Sequence, residues 1–370
     1  MLRHIHIENF KSIKKMGVSL GGLNLLFGMN GMGKSSTIQT LLLSRQSFYR
    51  GNCAHIDRLY PNGELVGLGT IDRLVCDNAN SNFLRFKYKF DSHEEMILDF
   101  PFKTSNINSN YIERAMVKTV EAYDEALFDD RFVYLSAEHI GPQGKYAYEN
   151  WSIDGINKFG SHGEYTVPFL AMNGDKIEVP YELCVEKGRS HSLIDQVSAW
   201  MDSISSGIRL NSELYASDQE AKLKVSYNND KERLVTGSYS PVNVGFGIPY
   251  VLPIIVSILS AKKGSLILIE NPESHLHPRA QVSIAQLMAK AASYGIQIIC
   301  ESHSDHIING VRVAIKEKSI KKEDVAIIYF DKDEHLNTKT TTISVDDRGN
   351  LDTYPLGLLD EWGELMARLI

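Results

Sequence analysis

The sequence predicts an α/β fold, a mostly parallel sheet with helices on both faces, whose two halves lie far apart in the chain. Two observations predict it. A short apolar strand, Leu23–Phe27, runs into a glycine-rich turn and then a helix near the start. From Asn243 onward, apolar strands and amphipathic helices alternate.

In the first half, residues 2–10 alternate (Leu2, Ile5, Ile7, Phe10) and read as a strand. Gly21-Gly22 punctuates, and Leu23–Phe27 is a short apolar strand of the kind buried in a mostly parallel sheet. Ile38, Leu41 and Leu42 then fall at helical spacing. Between 51 and 134, β-like pieces (Leu65–Leu68, Phe83–Phe90, Met96–Phe100) separated by Asn, Gly and Ser predict an antiparallel region. Residues 145–235 are polar and mixed, with one amphipathic helix at Leu193–Ile204 and no heptads.

The second half reads as a helix at Ile248–Ala261, strand Leu266–Ile269, helix Arg279–Ser293, strand Ile296–Cys300, helix Asp305–Lys316 and strand Val325–Phe330. Thr340–Val345 is β-like, Asp346–Asn350 a hairpin turn, and Leu358, Leu359, Trp362, Leu365 and Met366 fall at the spacing of a docking helix. The expected organisation is residues 1–144 for the first half of the fold with a β-rich subdomain, 145–240 for an inserted mixed α/β lid, 241–335 for the second half, and 336–370 for a terminal hairpin and helix.

Composition narrows the function. Hydrophobic residues at 43% and charged residues at 23% are ordinary globular usage, which excludes wholesale disorder. A net charge of −7 argues against a coat with one large basic face. Cys53, Cys76, Cys184 and Cys300 form no CxxC pair and read as reduced thiols. The N-terminus lacks the apolar stretch of a signal peptide, and the longest apolar run, Ile248–Leu259, is short of the ~20 residues a membrane span requires. The expected location is the cytoplasm, with no membrane partner.

The strongest chemical signal is Gly28-Met29-Asn30-Gly31-Met32-Gly33-Lys34-Ser35, a complete GxxxxGK[ST] between a strand and a helix. A phosphate needs inward-pointing backbone N–H groups, no Cβ in the way, and a helix N-terminus facing it. Gly28, Gly31 and Gly33 supply the first two. Asn30, Met32 and Ser36 complete the expected cradle, Lys34 reaches the β- and γ-phosphates, and the Ser35 hydroxyl ligates Mg²⁺. The cofactors expected are therefore ATP and Mg²⁺.

Such a loop requires an acid from a second strand. Leu266–Ile269 ends in Glu270, followed by the polar loop Asn271–Pro278; about thirty residues later a second apolar strand ends in Glu301-Ser302-His303-Ser304-Asp305. That spacing is one strand–helix–strand unit and brings His303 beside Glu270. His275 and His277 lie near Glu273, but two histidines fall short of a closed metal site.

The phosphate loop, IENPESHLHP and ESHSDHIINGVR resemble the ATPases related to RecF, SMC and OLD proteins. More closely, with IENFKSI, NGELVGLGT, LSAEHIGP and PVNVGFGIPYVLP, the chain is similar to bacterial AAA-type ATPases with a short characteristic C-terminal region. The resemblance is thin between about 145 and 235. It implies an ABC-type ATPase fold, with Glu270 as the Walker B magnesium ligand and His303 as a switch histidine sensing the γ-phosphate. It also implies that Asn243–Gly247 is the signature loop, Gly245 and Gly247 being present without the usual serine and Asn243 as its polar contact. The residue after the Walker B acid is usually the glutamate that activates water. Here it is Asn271, leaving Glu273 as the alternative base or a slow enzyme. Further implications are a homodimer sandwiching Mg–ATP, a conformational output licensing a separately encoded effector, and a setting in antiphage defence or DNA maintenance, with DNA a possible partner. The competing reading is a slow or non-turnover ATP-bound scaffold. A nuclease in the same chain is disfavoured, because only about forty residues follow Phe330.

Overall fold

A computed structural model describes the chain except for residues 52, 103–108, 116–120, 149–154, 230–233, 246, 356, 359–366 and 370. The chain divides into two compact units, one of residues 1–132 with 322–370, the other of residues 133–321. Elements are numbered along the chain.

In the first unit, β1 (Leu2–Phe10) pairs antiparallel with β2 (Ile13–Ser19) and with β5 (Phe83–Phe90), and β5 pairs with β6 (Met96–Pro101). The alternation seen in 2–10 is therefore real, but the strand joins an antiparallel sheet with β5 and β6. Alternating aromatics fill the inner face: Phe10 and Phe86 meet edge to face at 5.5 Å, and Phe86 and Phe100 at 6.1 Å. On the other face Arg85 grips its register partner Asp99 through two bonds of 2.6 and 2.7 Å.

The same unit contains β3 (Leu23–Gly28), which lies parallel to β15 (Val325–Lys332) with Gly28 opposite Phe330; β15 turns back into β16 (Thr338–Ile343). Helix α1 (Lys34–Arg50) follows β3. Tyr88 of β5 hydrogen-bonds the Ser44 hydroxyl at 2.8 Å and donates to the Thr40 carbonyl at 2.9 Å, tying this helix to the antiparallel sheet. Arg45 is a buried cation, 1% exposed. It donates to the Leu127 carbonyl at 2.8 Å and sits over the rings of Tyr49 and Phe132, and burial lowers its pKa to about 10. Two short strands, β4 (Arg58–Leu59) and β7 (Ile112–Glu113), pair antiparallel.

Leu65–Leu68 is not the strand its composition suggests. The Asn62 side chain accepts from Gly69 N–H and donates to the Gly69 carbonyl, and Gly63 N–H reaches the Val66 carbonyl. These local bonds replace a ladder. The hairpin turn at Asp346–Asn350 is present, closed by the Val345–Leu351 bridge and the Asp346 N–H to Asn350 carbonyl bond. Of the expected terminal helix, Leu358 is buried, and residues 359–366 lie outside the described residues.

In the second unit, β13 (Leu266–Glu270) and β14 (Gln297–Glu301) are parallel and in register, with β8 (Phe132–Leu135) next to β13. Helix α4 (Gly247–Leu259) is apolar all round and buried from Ile248 to Leu259. Helix α5 (Pro278–Tyr294) begins with Pro278 behind a His277 cap and ends at Gly295, φ 108°. Helix α6 (Asp305–Lys316) is capped by the Ser304 hydroxyl, which accepts from His306 N–H at 3.1 Å.

The polar stretch before α4 holds more structure than its composition announces. Helices α2 (Thr166–Asn173) and α3 (Leu193–Asp202) pack on a long hairpin of β10 (Ile208–Tyr215) and β11 (Glu220–Asn229), with β9 (Tyr146–Ala147) and β12 (Leu234–Val235) beside β11. No described helix is long and apolar enough to cross a membrane.

Helices α5 and α6 meet at Gly310, where an added Cβ would lie 2.6 Å from the Ala285 Cβ and 3.1 Å from the Val282 carbonyl oxygen. Glycine in a helix interior costs about 1 kcal/mol relative to alanine, so the contact decides the sign. Gly310→Val is expected to lower stability by about 2 kcal/mol through overpacking. A melting temperature within a degree of wild type would refute the close contact.

Candidate functional site

In the first unit, strand β3 delivers Gly28 to the loop Met29–Gly33, and α1 begins at Lys34. All three motif glycines have left-handed backbone: Gly28 φ 133°, Gly31 φ 77° and Gly33 φ 107°. They are needed for different reasons. A Cβ on Gly28 would lie 2.2 Å from the Phe330 carbonyl oxygen, and one on Gly33 would lie 2.6 Å from Thr338 Oγ1. At Gly31 a Cβ would meet nothing within 4 Å. Two glycines thus admit the β15–β16 hairpin against the loop's back, and only Gly31 leaves its outer face clear.

Thr338 also hydrogen-bonds Ser12 by side chain and backbone, both at 2.9 Å, so the β1–β2 turn buttresses the same point. Lys34, 3% exposed, extends along the loop and donates to the Gly28 and Met29 carbonyls at 2.8 and 2.9 Å. No acidic residue lies in the first turn of α1, so its positive end keeps its full attraction for an anion. Asn30 and Gly31 are exposed; Met32, Ser35 and Ser36 are half-buried. Left-handed glycines, an open outer face and a helix N-terminus without a competing carboxylate fit a phosphate chain.

In the second unit, Glu270 and Glu301 are register partners at the carboxyl ends of β13 and β14. Glu270 accepts from the Tyr134 hydroxyl and from Ala137 N–H, each at 3.3 Å. Burial, and then the neighbouring Glu301, push its carboxyl up to about 7; the two hydrogen bonds only partly oppose this. His139, 7% exposed, stacks on Tyr250 at 4.4 Å and bonds its carbonyl through Nδ1, while Tyr250 donates to the Ala137 carbonyl at 2.6 Å. Tyr134, Ala137 and Tyr250 are the supports that the sequence did not single out. The signal was the conjunction of an apolar strand, Phe132–Leu135, with the Ser136–Pro142 segment after it.

Asn271 continues the ladder by donating its N–H to the Glu301 carbonyl at 2.9 Å, with φ 49°. Asparagine tolerates that conformation better than most residues. Its Oδ1 is buried with no hydrogen-bond partner among the described residues. The Glu273 carboxylate accepts from the Ser302 hydroxyl at 2.9 Å and from His303 N–H at 2.6 Å. Glu273 and His303 are therefore joined, through the histidine's backbone, and the His303 side chain is exposed.

His277 caps α5 by accepting from Arg279 N–H, and His275 sets its ring edge-on to Tyr250 at 5.1 Å. Of the signature-like segment, Asn243 closes a short 3₁₀ turn and is exposed, as is Gly245, beside which a Cβ would meet nothing. Phe246 lies outside the described residues. Gly247 opens α4 against the loop after β13, where a Cβ would lie 2.8 Å from the His275 carbonyl oxygen.

Residues 201–309 match the family described as "AAA domain, putative AbiEii toxin, Type IV TA system", and residues 320–369 match "Protein of unknown function (DUF3696)". The fold is similar to that of an SMC head bound to the C-winged helix domain of ScpA, with TM-score 0.52 and 13% identity over 93% of this chain and 98% of that one. It is also similar to an SMC head with an extended coiled coil, bound to the C-terminal domain of ScpA derived from Pyrococcus furiosus, with TM-score 0.51 and 13% identity over 100% and 99% of the two chains.

The chain has the fold of an SMC head domain, with an AAA-domain match over residues 201–309.

No curated protein matches the sequence. At 13% identity the SMC likeness establishes the fold alone, a mixed and mostly parallel α/β sheet with helices, and the chemistry has to be argued from the site. Among the described residues no group of three or more His, Cys, Asp or Glu is placed to hold a metal. Magnesium does not require one, because it is commonly held by one or two carboxylates together with nucleotide phosphates and water. Glu270, acid and oxygen-donating, has the right chemistry.

The raised pKa makes a signed prediction for the metal-free protein. A carboxyl whose folded pKa exceeds its unfolded value contributes stability below the unfolded pKa, near 4.5, which is lost as pH rises through about 7. In EDTA, Glu270→Gln is expected to melt higher than wild type at pH 8, by up to about 3 kcal/mol at 1.4 kcal/mol per unit. The gain should vanish towards pH 4.5. Equal differences at both pH values would contradict the buried acid.

Proposed function

We propose that the domain binds Mg–ATP and hydrolyses it slowly, acting as a cytoplasmic conformational switch. The observation that carries the reading is the phosphate loop: three left-handed glycines, a buried lysine and a helix N-terminus free of acid. In this reading Gly28–Gly33 and Ser36 cradle the phosphates, Lys34 neutralises the β/γ charge, and Ser35 and Glu270 ligate Mg²⁺. The magnesium would supply charge neutralisation on the transferred phosphoryl group.

His303 is assigned to sensing the γ-phosphate, and Asn271 to holding the attacking water. The buried Asn271 Oδ1, an acceptor without a hydrogen-bond partner among the described residues, supports the latter. An amide oxygen accepts a hydrogen bond but does not take up the proton, so turnover should fall about 10²–10⁴-fold below that of an enzyme with a carboxylate base. The same residue favours a second reading, in which the domain closes on ATP and works as a scaffold with little hydrolysis.

The segment Asn243–Gly247, with Asn243 and Gly245 exposed before α4, is assigned to the nucleotide of a second copy, so that ATP joins a homodimer and its loss parts it. Licensing of a separately encoded effector, in antiphage defence or DNA maintenance, is the biological role proposed. The ScpA domains seated on the SMC heads support a protein partner only by analogy of fold.

Lys34→Ala is expected to lose ATP binding in titration calorimetry, whereas His303→Ala should bind ATP normally and hydrolyse it at least tenfold more slowly, the range in which a missing transition-state contact shows. A wild-type protein with no affinity for ATP would overturn the proposal. Affinity with no measurable turnover would select the scaffold reading.

A further inference from the structure

Glu273 has the composition of a general base, an acid just past the Walker B strand, but its surroundings give it another task. Its carboxylate is bound at both oxygens to the segment leaving β14, through the Ser302 hydroxyl at 2.9 Å and His303 N–H at 2.6 Å. Two further links join the same two segments. On one side the Asn271 N–H donates to the Glu301 carbonyl at 2.9 Å. On the other, Gln281 of α5 donates to the Leu276 carbonyl at 2.9 Å and accepts from the Ser304 hydroxyl. Ser304 in turn caps α6 by accepting from His306 N–H. The loop after β13, the start of α5, the loop after β14 and the start of α6 thus form one hydrogen-bonded frame with Glu273 at its centre.

We propose that Glu273 is a positioning residue, which sets the backbone of His303 and couples the loops after β13 and β14 so that they move as one body. This rests on the reading of Glu270, Asn271 and His303 as a nucleotide site. The physical case is the strength and direction of the bonds. A carboxylate accepting a main-chain N–H at 2.6 Å makes a charge-assisted bond, about twice as strong as a neutral one. Two such bonds to consecutive residues fix the orientation of the chain, whereas one would leave a pivot. A glutamate free to take a proton from water has no need of either. The frame also explains a local preference: Ser302 is fully buried, and its hydroxyl both donates to Glu273 and accepts from Ser304 N–H at 3.1 Å, so an alanine there would remove one bond from each.

The test compares Glu273→Gln, Ser302→Ala and the double variant in the full-length protein, with ATP turnover, ATP affinity, the pH profile and amide hydrogen exchange at residues 302–306 as readouts. Serine 302 has no proton-accepting role, so it separates framing from base catalysis. The expected result is a loss of about tenfold in kcat for Glu273→Gln, the lower end for a residue supporting a catalytic one, and a smaller loss for Ser302→Ala. The double variant should be no worse than Glu273→Gln alone. ATP affinity should stay within about twofold, the pH profile should keep its shape, and exchange at His303 should rise in all three variants.

The proposal is overturned if Glu273→Gln costs more than about 10²-fold and flattens the pH profile while Ser302→Ala behaves as wild type, the signature of a general base. It is also overturned if exchange at His303 is unchanged in Glu273→Gln. That last readout requires no turnover, so a wild-type protein that fails to bind ATP would refute the nucleotide reading and leave the frame to be judged separately.

Discussion

Two carboxylates held side by side at the ends of parallel strands set the terms for the second unit. Glu270 and Glu301 occupy matching positions on β13 and β14 because the strands are in register from Leu266 and Gln297 onward. The strands are buried on both faces, so Glu270 emerges into a low-dielectric corner where burial and the neighbouring Glu301 disfavour its charge. Tyr134 and Ala137 provide one hydrogen bond each, which is insufficient to restore an ordinary acidity to Glu270. The loops around this carboxyl are braced. The braces are Asn271 in a left-handed conformation, Glu273 across to Ser302 and His303, and Gln281 to Ser304.

The first unit solves a different problem, that of presenting backbone N–H groups and a helix end to solvent without letting the loop collapse. Its answer is steric. Phe330 and Thr338 stand where Gly28 and Gly33 lack side chains, and Ser12 holds Thr338 in place. The motif's glycines are therefore divided between inward packing and outward clearance. This refines the usual account, in which every glycine of the motif makes room for phosphate.

Likeness of fold to SMC heads covers nearly the whole chain but at 13% identity, whereas the matched sequence families cover residues 201–309 and 320–369. The first of these stretches holds the distal acid, its loop and the following histidine segment; the phosphate loop lies in neither. The phosphate-loop motif and the matched families thus lie in separate parts of the chain. Asn271 and the serine-free segment before α4 are the details in which this chain departs from the pattern that its motifs resemble.

The sequence by itself determined the strands and helices whose faces are uniformly apolar or strictly periodic. Leu23–Gly28, Leu266–Glu270, Gln297–Glu301 and Asp305–Lys316 lie within a residue or two of where periodicity and capping put them, because in these segments local preference and burial agree. The phosphate motif was equally legible, since its chemistry needs particular residues at fixed spacing. Tertiary structure alone decided the rest. The partners of β1 are chosen by a strand some eighty residues away, the hairpin Ile208–Asn229 hides in a polar stretch because one of its faces is solvated, and a local Asn62 network outcompetes a ladder at Leu65–Leu68. The role of Glu273 belongs here too. A carboxylate's task depends on which hydrogen-bond donors lie within 3 Å of it, and those of Glu273 come from residues about thirty positions on, which only the packing of β13 beside β14 brings near.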